Sequence, residues 1–437
     1  MLRRAFRGGV HPAGRKEKTN QCPIERAPLA AELAVPLSQH LGAPCSALVE
    51  KGERVRRGQL IGDVDAPISA PVHSPVDGEV VAVEPVLLAS GLRHHAVRIV
   101  PDPEQDYDRF VSLTRGEDSV SERVRAAGVV GMGGAGFPTS VKLQPPKGMP
   151  IRTLVINGCE CEPYLTCDHR LMLEHADRIV RGARLIARAA GAARIVIGIE
   201  DNKSDAVASL EKAASASGSE IEIAVLPTRY PQGAEKQLIW AVTHAEVPHG
   251  KLPAAAGVLV QNVATAAAVA DAIDEGKPLV ERVVTVTGNV RRPGNFLTVL
   301  GTPVSSLIEA AGGFSGELGR VVAGGPMTGM ALADLSVPVV KGMGGVVVID
   351  PSDAAPAVLG DQPCIRCGRC SDACPMMLEP YAIGIYSNRR DWDATGRYHA
   401  LDCIECGCCS FVCPTRRPLV QLIQGAKRAL LQQGVSP

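Results

Sequence analysis

The chain has 437 residues, 46% hydrophobic and 21% charged, which is enough for three or four compact units and too apolar for disorder. Lysine plus arginine and aspartate plus glutamate number 46 each, so no global field attracts nucleic acid, and a nucleic-acid partner is not expected. A chain of this size does not need its 14 cysteines as staples, and eight of them fall in metal-ligand spacing, which implies a reducing compartment.

The start carries Arg3, Arg4 and Arg7 without the apolar run of a signal peptide, and these arginines are expected to meet partners or acidic lipid. No stretch is apolar enough to span a bilayer, since the most apolar, Ala254 to Ala272, is broken by Gln261, Asn262 and Thr265. From Val35 to Val100, short strands punctuated by glycine and proline predict a compact all-β unit. Its phrases Val49 to Ile61 and Ser74 to Val80 resemble the barrel-sandwich domains that carry biotin or lipoate. The hairpin tip, Asp63 to Pro71, has no lysine to modify, so the unit reads as a structural or docking module.

Between Ser121 and Val263 the pattern becomes alternating helices and strands. Strands are expected at Leu154–Ile156, Arg194–Ile199 and Ile221–Leu226, and helices at His169–Ala190 and Ser204–Ala216. That order predicts a mostly parallel sheet, which binds ligands at the carboxyl ends of its strands. From Arg282 to Asp350, a hairpin between Val284 and Phe296 is followed by a helix with Thr302 as N-cap and Gly312-Gly313 at its end. Strand, strand, helix and further strands predict a β-grasp unit. The expected division is 1–112 for the barrel-sandwich unit, 113–275 for the α/β unit, 276–350 for the β-grasp unit and 351–437 for the last.

The last unit holds one cysteine pattern twice. Cys364, Cys367, Cys370 and Cys374 precede Pro375, and 39 residues later Cys403, Cys406, Cys409 and Cys413 precede Pro414. Three thiolates at i, i+3 and i+6 meet one corner of a 4Fe-4S cubane, and the proline-flanked fourth turns to the other cluster. The expected sets therefore cross: Cys364, Cys367 and Cys370 with Cys413, and Cys403, Cys406 and Cys409 with Cys374. Zinc ribbons use paired C-x2-C knuckles instead and have no reason to repeat this run. The helical linker from Met376 to Asp402 favours a helical ferredoxin.

Gly131, Gly133, Gly134 and Gly136 match a dinucleotide-binding loop, but an amphipathic stretch precedes them and Pro138 follows, which is not the Rossmann context. So much bare backbone lets a flat ring or its phosphate approach closely. Downstream, Asn157, Glu160 and Glu162 close the first strand, where carboxylates are placed to accept from ribose or a flavin edge. The loop and the element Asn157-Gly-Cys-Glu-Cys-Glu-Pro163 together resemble the FMN- and NADH-binding subunit of respiratory complex I, as do Tyr230-Pro-Gln-Gly233-Ala-Glu235 and Gln261-Asn262-Val-Ala-Thr265. The complex I subunit has an aspartate at the position of Cys159 and a glutamate at that of Ala234. The resemblance implies that these residues and Lys142 surround FMN and NAD(H).

The order of the units, with Gly8 to Pro12, Pro36 to Pro44 and Ser69 to Pro75 ahead of the glycine loop, resembles the C subunits of Rnf ferredoxin:NAD oxidoreductase complexes, without the repetitive tail of some members. The resemblance implies a peripheral subunit on the cytoplasmic face of the cell membrane. It would pass electrons between nicotinamide, FMN and two 4Fe-4S clusters, beside integral membrane and ferredoxin-like partners that move ions. Alternatives are a soluble NADH-dependent cobalamin reductase of the microcompartment type, whose glycine loop lies near its N-terminus, and a non-catalytic iron-sulfur scaffold. Metal analysis is expected to find about eight iron and eight sulfide per chain. Cys370→Ser should damage a cluster and Cys408→Ser should spare both, and the reverse pattern would refute the ligand assignment.

Overall fold

A computed structural model describes residues 6–113, 119–317, 319–352 and 363–435; Arg3 and Arg4 lie outside them. A short strand, β1 (Ile24–Arg26), precedes the barrel strands β2 (Leu33–Pro36), β3 (Ser46–Ala47), β4 (Arg54–Val55), β5 (Leu60–Asp63), β6 (Val72–His73), β7 (Gly78–Leu87) and β8 (Arg93–Pro101). These form two facing sheets, ordered β2-β8-β7-β4 and β3-β5-β6. Alternate residues such as Leu33, Val35, Val97 and Ile99 point into one core, as a half-buried sheet requires.

The α/β unit runs α1 (Val120–Ala126), α2 (Thr139–Lys142), β9 (Thr153–Asn157), α3 (Cys167–Glu174), α4 (Ala176–Ala190), β10 (Arg194–Glu200), α5 (Ser204–Ala216), β11 (Ile221–Leu226), α6 (Glu235–Thr243), β12 (Val258–Asn262) and α7 (Val263–Asp274). Its parallel sheet is ordered β11-β10-β9-β12. The unbroken apolar run of β9 is buried on both faces: Leu154 and Ile156 join the core under α4 and α7, and Val155 the core under α6. The single helix expected over 169–190 is two. At His175 the backbone leaves the helix (φ −135°, ψ 36°), and α3 packs against β1 and β13 (Glu281–Gly288) while α4 packs on α7. Strand β12, which sequence periodicity did not single out, supplies the edge that carries Asn262.

The β-grasp unit continues with β14 (Gly294–Val299), α8 (Val304–Ala310), β15 (Arg320–Ala323), β16 (Met330–Ala331) and β17 (Gly345–Ile349). Its sheet, β1-β14-β13-β17-β15-β16, has parallel β13 and β17 at its centre and takes β1 from the start of the chain as a parallel edge strand. Thr302 does not cap α8. Its hydroxyl donates to the Val299 carbonyl, and Pro303 is the N-cap. The last unit is helical: α9 (Arg369–Asp372), α10 (Pro380–Asn388), α11 (Trp392–Arg397), α12 (Cys408–Phe411) and α13 (Leu419–Gln432).

Where the barrel, α/β and β-grasp units meet, Lys341 is fully buried and its ammonium donates to the carbonyls of Pro71 and Gly128, each at 2.7 Å. Burial pushes its pKa down from 10.5 to about 8. Between those values the unfolded chain holds the proton that the folded chain has released, so this lysine makes stability rise with pH across that window. Lys341→Met should orphan both carbonyls, lower stability by about 2 to 5 kcal/mol and flatten that alkaline rise. Denaturant titrations at neutral and alkaline pH would check both effects, and unchanged stability with an unchanged slope would refute them.

Candidate cofactor and cluster sites

Two asparagines mark the carboxyl edge of the parallel sheet. Asn157 ends β9, Asn262 ends β12, and the two are register partners. Asn262 caps α7 by accepting from the Ala264 amide and donates to Asp168, and a side chain added at Gly133 would meet it at 2.7 Å. The Thr265 hydroxyl accepts from the Met132 amide and donates to the Val130 carbonyl. Thus Asn262 and Thr265 hold one side of the glycine loop, while a Cβ built on Gly134 meets nothing within 4 Å. Gly136 takes a left-handed turn (φ 70°) that closes the loop.

Around that open face, Lys142 pairs with Glu235 at 2.9 Å and also donates to the Val260 carbonyl. Asn157 donates to the Gly233 carbonyl, and its side-chain oxygen accepts from the Cys159 amide. An uncovered glycine backbone, a half-exposed lysine and amide side chains at strand ends form a donor set that fits a flavin with its phosphate.

The two glutamates beyond the end of β9 are held by main-chain donors. Glu160 is 4% exposed and accepts from the amides of Asp168 and His169, so it caps α3. Glu162 accepts from the amides of Met327 and Thr328 in the β-grasp unit, and burial raises its pKa. Both carboxylates accept from backbone amides because the irregular turn that bears them is packed between three elements. The Tyr230 hydroxyl donates to the Cys406 carbonyl in the last unit.

Sequence reasoning missed Lys16. From the N-terminal segment it donates to the carbonyls of Glu160 (2.8 Å), Glu162 (3.0 Å) and Leu165, with the Glu160 carboxylate at 3.7 Å. In the sequence it lies in the charged run Arg15-Lys16-Glu17-Lys18, which reads as solvated surface. Lys203, fully buried, donates to the Cys159 carbonyl and pairs with Glu200. The N-terminal segment is built into this site: Val10 bridges to Tyr230, and Arg229 donates to the carbonyls of Phe6 and Gly8.

The cysteine repeat is a repeat of backbone as well. Gly368 and Gly407 (φ 77° and 81°), Arg366 and Glu405 (55° and 56°) and Met377 and Arg416 (56° and 52°) share left-handed conformations at the sequence offset of the cysteines. Amides point at sulfur in matching pairs: Arg366 to Cys364 and Glu405 to Cys403, Leu378 to Cys374 and Arg417 to Cys413, at 3.3–3.4 Å. A small cavity is lined by Cys374 together with Cys403, Cys406 and Cys409, among Leu378, Pro380, Val420 and Ile423. Burial pushes the Cys403 thiol up to about 12 and also raises that of Cys374, whereas the contact with Cys408 lowers that of Cys406. The donors fit a cubane with crossed ligands. Cys408 is fully buried against Val10, Tyr230 and Ala373 and faces the packing between units.

Family models match the chain in the same order: the RnfC barrel sandwich hybrid domain over residues 4–104, the Nuo51 FMN-binding domain over 124–271, the SLBB domain over 283–331 and a 4Fe-4S dicluster domain over 357–423. The C subunit of the Na(+)-translocating ferredoxin:NAD(+) oxidoreductase complex of Acetobacterium woodii is 44% identical over 98% of this chain and 97% of its own. Its proton-translocating counterpart from Clostridium ljungdahlii is 42% identical over 97% and 93%, and the C subunit of the ion-translocating oxidoreductase complex of Rhodobacter capsulatus 43% over 98% and 84%. A chain of an NAD+-reducing [NiFe]-hydrogenase has the same fold over 72% of this chain and 60% of its own, with a TM-score of 0.51 at 21% identity.

The two central glycines separate binding from folding. Gly134→Val projects into open space, so it should leave thermal stability unchanged and weaken FMN retention at least about tenfold, or 1.4 kcal/mol. Gly133→Val collides with Asn262 and should lose both. Flavin content and melting temperature of the two variants check this, and full flavin in Gly134→Val would make the loop an ordinary turn.

Proposed function

The chain belongs to the family of C subunits of ion-translocating ferredoxin:NAD(+) oxidoreductase complexes, and on that premise we propose that it is the nicotinamide-facing electron-transfer component of such a complex. It passes electrons between NAD(H), FMN and two 4Fe-4S clusters. When bound, FMN supplies the exchange between a two-electron hydride and one-electron carriers. The residues of the chain supply position: Lys142, Asn157, Gly233, Glu235, Asn262 and Thr265 around the glycine loop, and the eight cysteines in their crossed sets.

One observation carries this reading. The flavin unit and the cysteine repeat are joined where Tyr230 donates to the Cys406 carbonyl and Gln237 of α6 donates to that of Pro375. The set Cys374, Cys403, Cys406 and Cys409 thus abuts the flavin unit. The set Cys364, Cys367, Cys370 and Cys413 includes the exposed Cys367, beside the exposed Ile365. We assign the first set to exchange with the flavin unit and the second to exchange with a partner.

Among the described residues no helix is long and apolar enough to cross a membrane. Attachment in this reading runs through integral membrane and ferredoxin-like partners, on the cytoplasmic face where NADH is found. The cobalamin-reductase and scaffold alternatives lose to the whole-length match with the C subunits.

Anaerobic protein treated with NADH should bleach its flavin absorption and develop reduced-cluster EPR signals. Cys367→Ser should keep NADH-driven reduction of the remaining inner cluster, whereas Cys406→Ser should leave the outer cluster oxidised under NADH but reducible by dithionite. The opposite pattern would reverse the assigned order. Recovery of native protein solely in the soluble fraction with cobalamin-handling enzymes would overturn the complex assignment.

A further inference from the structure

We propose that His249, His399 and Asp402 form a binding site for one divalent transition-metal ion, zinc by its donor set, which clamps the flavin unit to the ferredoxin unit. The residues come from two units. His249 lies in the connection from α6 to β12, and His399 and Asp402 lie between α11 and α12, immediately before Cys403. His249 Nδ1 stands 2.6 Å from one Asp402 oxygen, and His399 Nδ1 stands 3.9 Å from the other. One ligand atom from each residue can be chosen so that all lie within 4.8 Å of one another. The two imidazole centroids are 5.9 Å apart and the rings nearly perpendicular, at 89°, so they meet edge to face and are not stacked.

The distances suit a small ion. Zinc binds imidazole nitrogen and carboxylate oxygen at about 2.0–2.2 Å, so ligands around a tetrahedral ion are roughly 3.3 Å apart. The observed 2.6 and 3.9 Å straddle that value. Two neutral imidazoles and one carboxylate leave a coordination position for water. Both rings are largely exposed, 61% and 64%, whereas the carboxylate is 16% exposed, so the ion is reached from solvent and the anion is held in place. The backbone contributes as well: His399 is left-handed (φ 56°) at the start of the 3-10 turn 400–402 that carries Asp402.

A simple hydrogen bond between His249 and Asp402 would join the units equally, but it gives no role to a second histidine at the other oxygen of the same carboxylate. The two readings differ in what they bind. An ion here would also place two positive charges one residue from Cys403, which favours an added electron on a cluster held by that ligand.

Equilibrium dialysis of the anaerobic holoprotein against zinc chloride, with zinc and iron both quantified, tests the site. Wild type should take up one zinc per chain with its iron content unchanged. His399→Ala and His249→Ala should each weaken that uptake at least about tenfold, again with iron unchanged. An EPR titration should show that zinc raises the midpoint potential of one cluster in wild type and not in His399→Ala. Absence of zinc uptake by wild type, equal uptake by the variants, or zinc that enters only as iron leaves would each overturn the proposal.

Discussion

A buried backbone carbonyl without a donor costs about as much as a lost hydrogen bond, and this chain meets that constraint at its irregular junctions with ammonium groups. The turn from Cys159 to Leu165 has no strand or helix to satisfy it, yet it is packed between the α/β sheet, the β-grasp unit and the N-terminal segment. Lys16 and Lys203 approach it from distant parts of the chain and take the carbonyls of Cys159, Glu160, Glu162 and Leu165. With those carbonyls fixed, Glu160 can cap α3 and Glu162 can fasten the Met327-Thr328 loop. Lys341 applies the same solution where the first three units meet. A lysine stem reaches through apolar packing to deliver three donors at one point, which suits convergent carbonyls better than a planar guanidinium does.

What was legible in the sequence follows from the range of the forces involved. The cysteine repeat is local chemistry with fixed spacing, and the matching left-handed residues at 366 and 405, 368 and 407, and 377 and 416 show the same information written in the backbone. Strands β10 and β11 announced themselves through nearly unbroken runs of apolar and β-branched residues. Strand β12 did not, because its Val258-Leu259-Val260 merges into the alanine-rich helix that follows. The break at His175 was hidden for a related reason. Both helices pack on α5 and α7, and what the bend adds is the reach of α3 to β1 and β13, which are distant in sequence.

The candidate site was legible as a set of residue types and not as a geometry. The glycine loop, Asn262 and Thr265 do come together, and so do Lys142 with Glu235 and Asn157 with Gly233. The amides that Glu160 and Glu162 accept from were not legible, because a sequence shows charges but not their main-chain partners. Lys16 was invisible for the converse reason, since its partners lie 144 to 149 residues away and are main-chain atoms, which carry no sequence signature.

The placement of the first residues also sets an order on the making of the molecule. Gly9 donates to the carbonyl of Ala373, and Gly8 lies so close to Cys374 that an added Cβ would stand 2.5 Å from its carbonyl oxygen. Units of a nascent chain fold as they emerge, beginning at the N-terminus. Here Gly8 and Gly9 can reach Ala373 and Cys374 only after the cysteine repeat has been synthesised, whereas Val10 and Lys16 meet Tyr230 and the turn at 160–165, which emerge earlier. The contacts of Gly8 and Gly9 with the turn at Ala373 and Cys374 are thus the last that this segment can make.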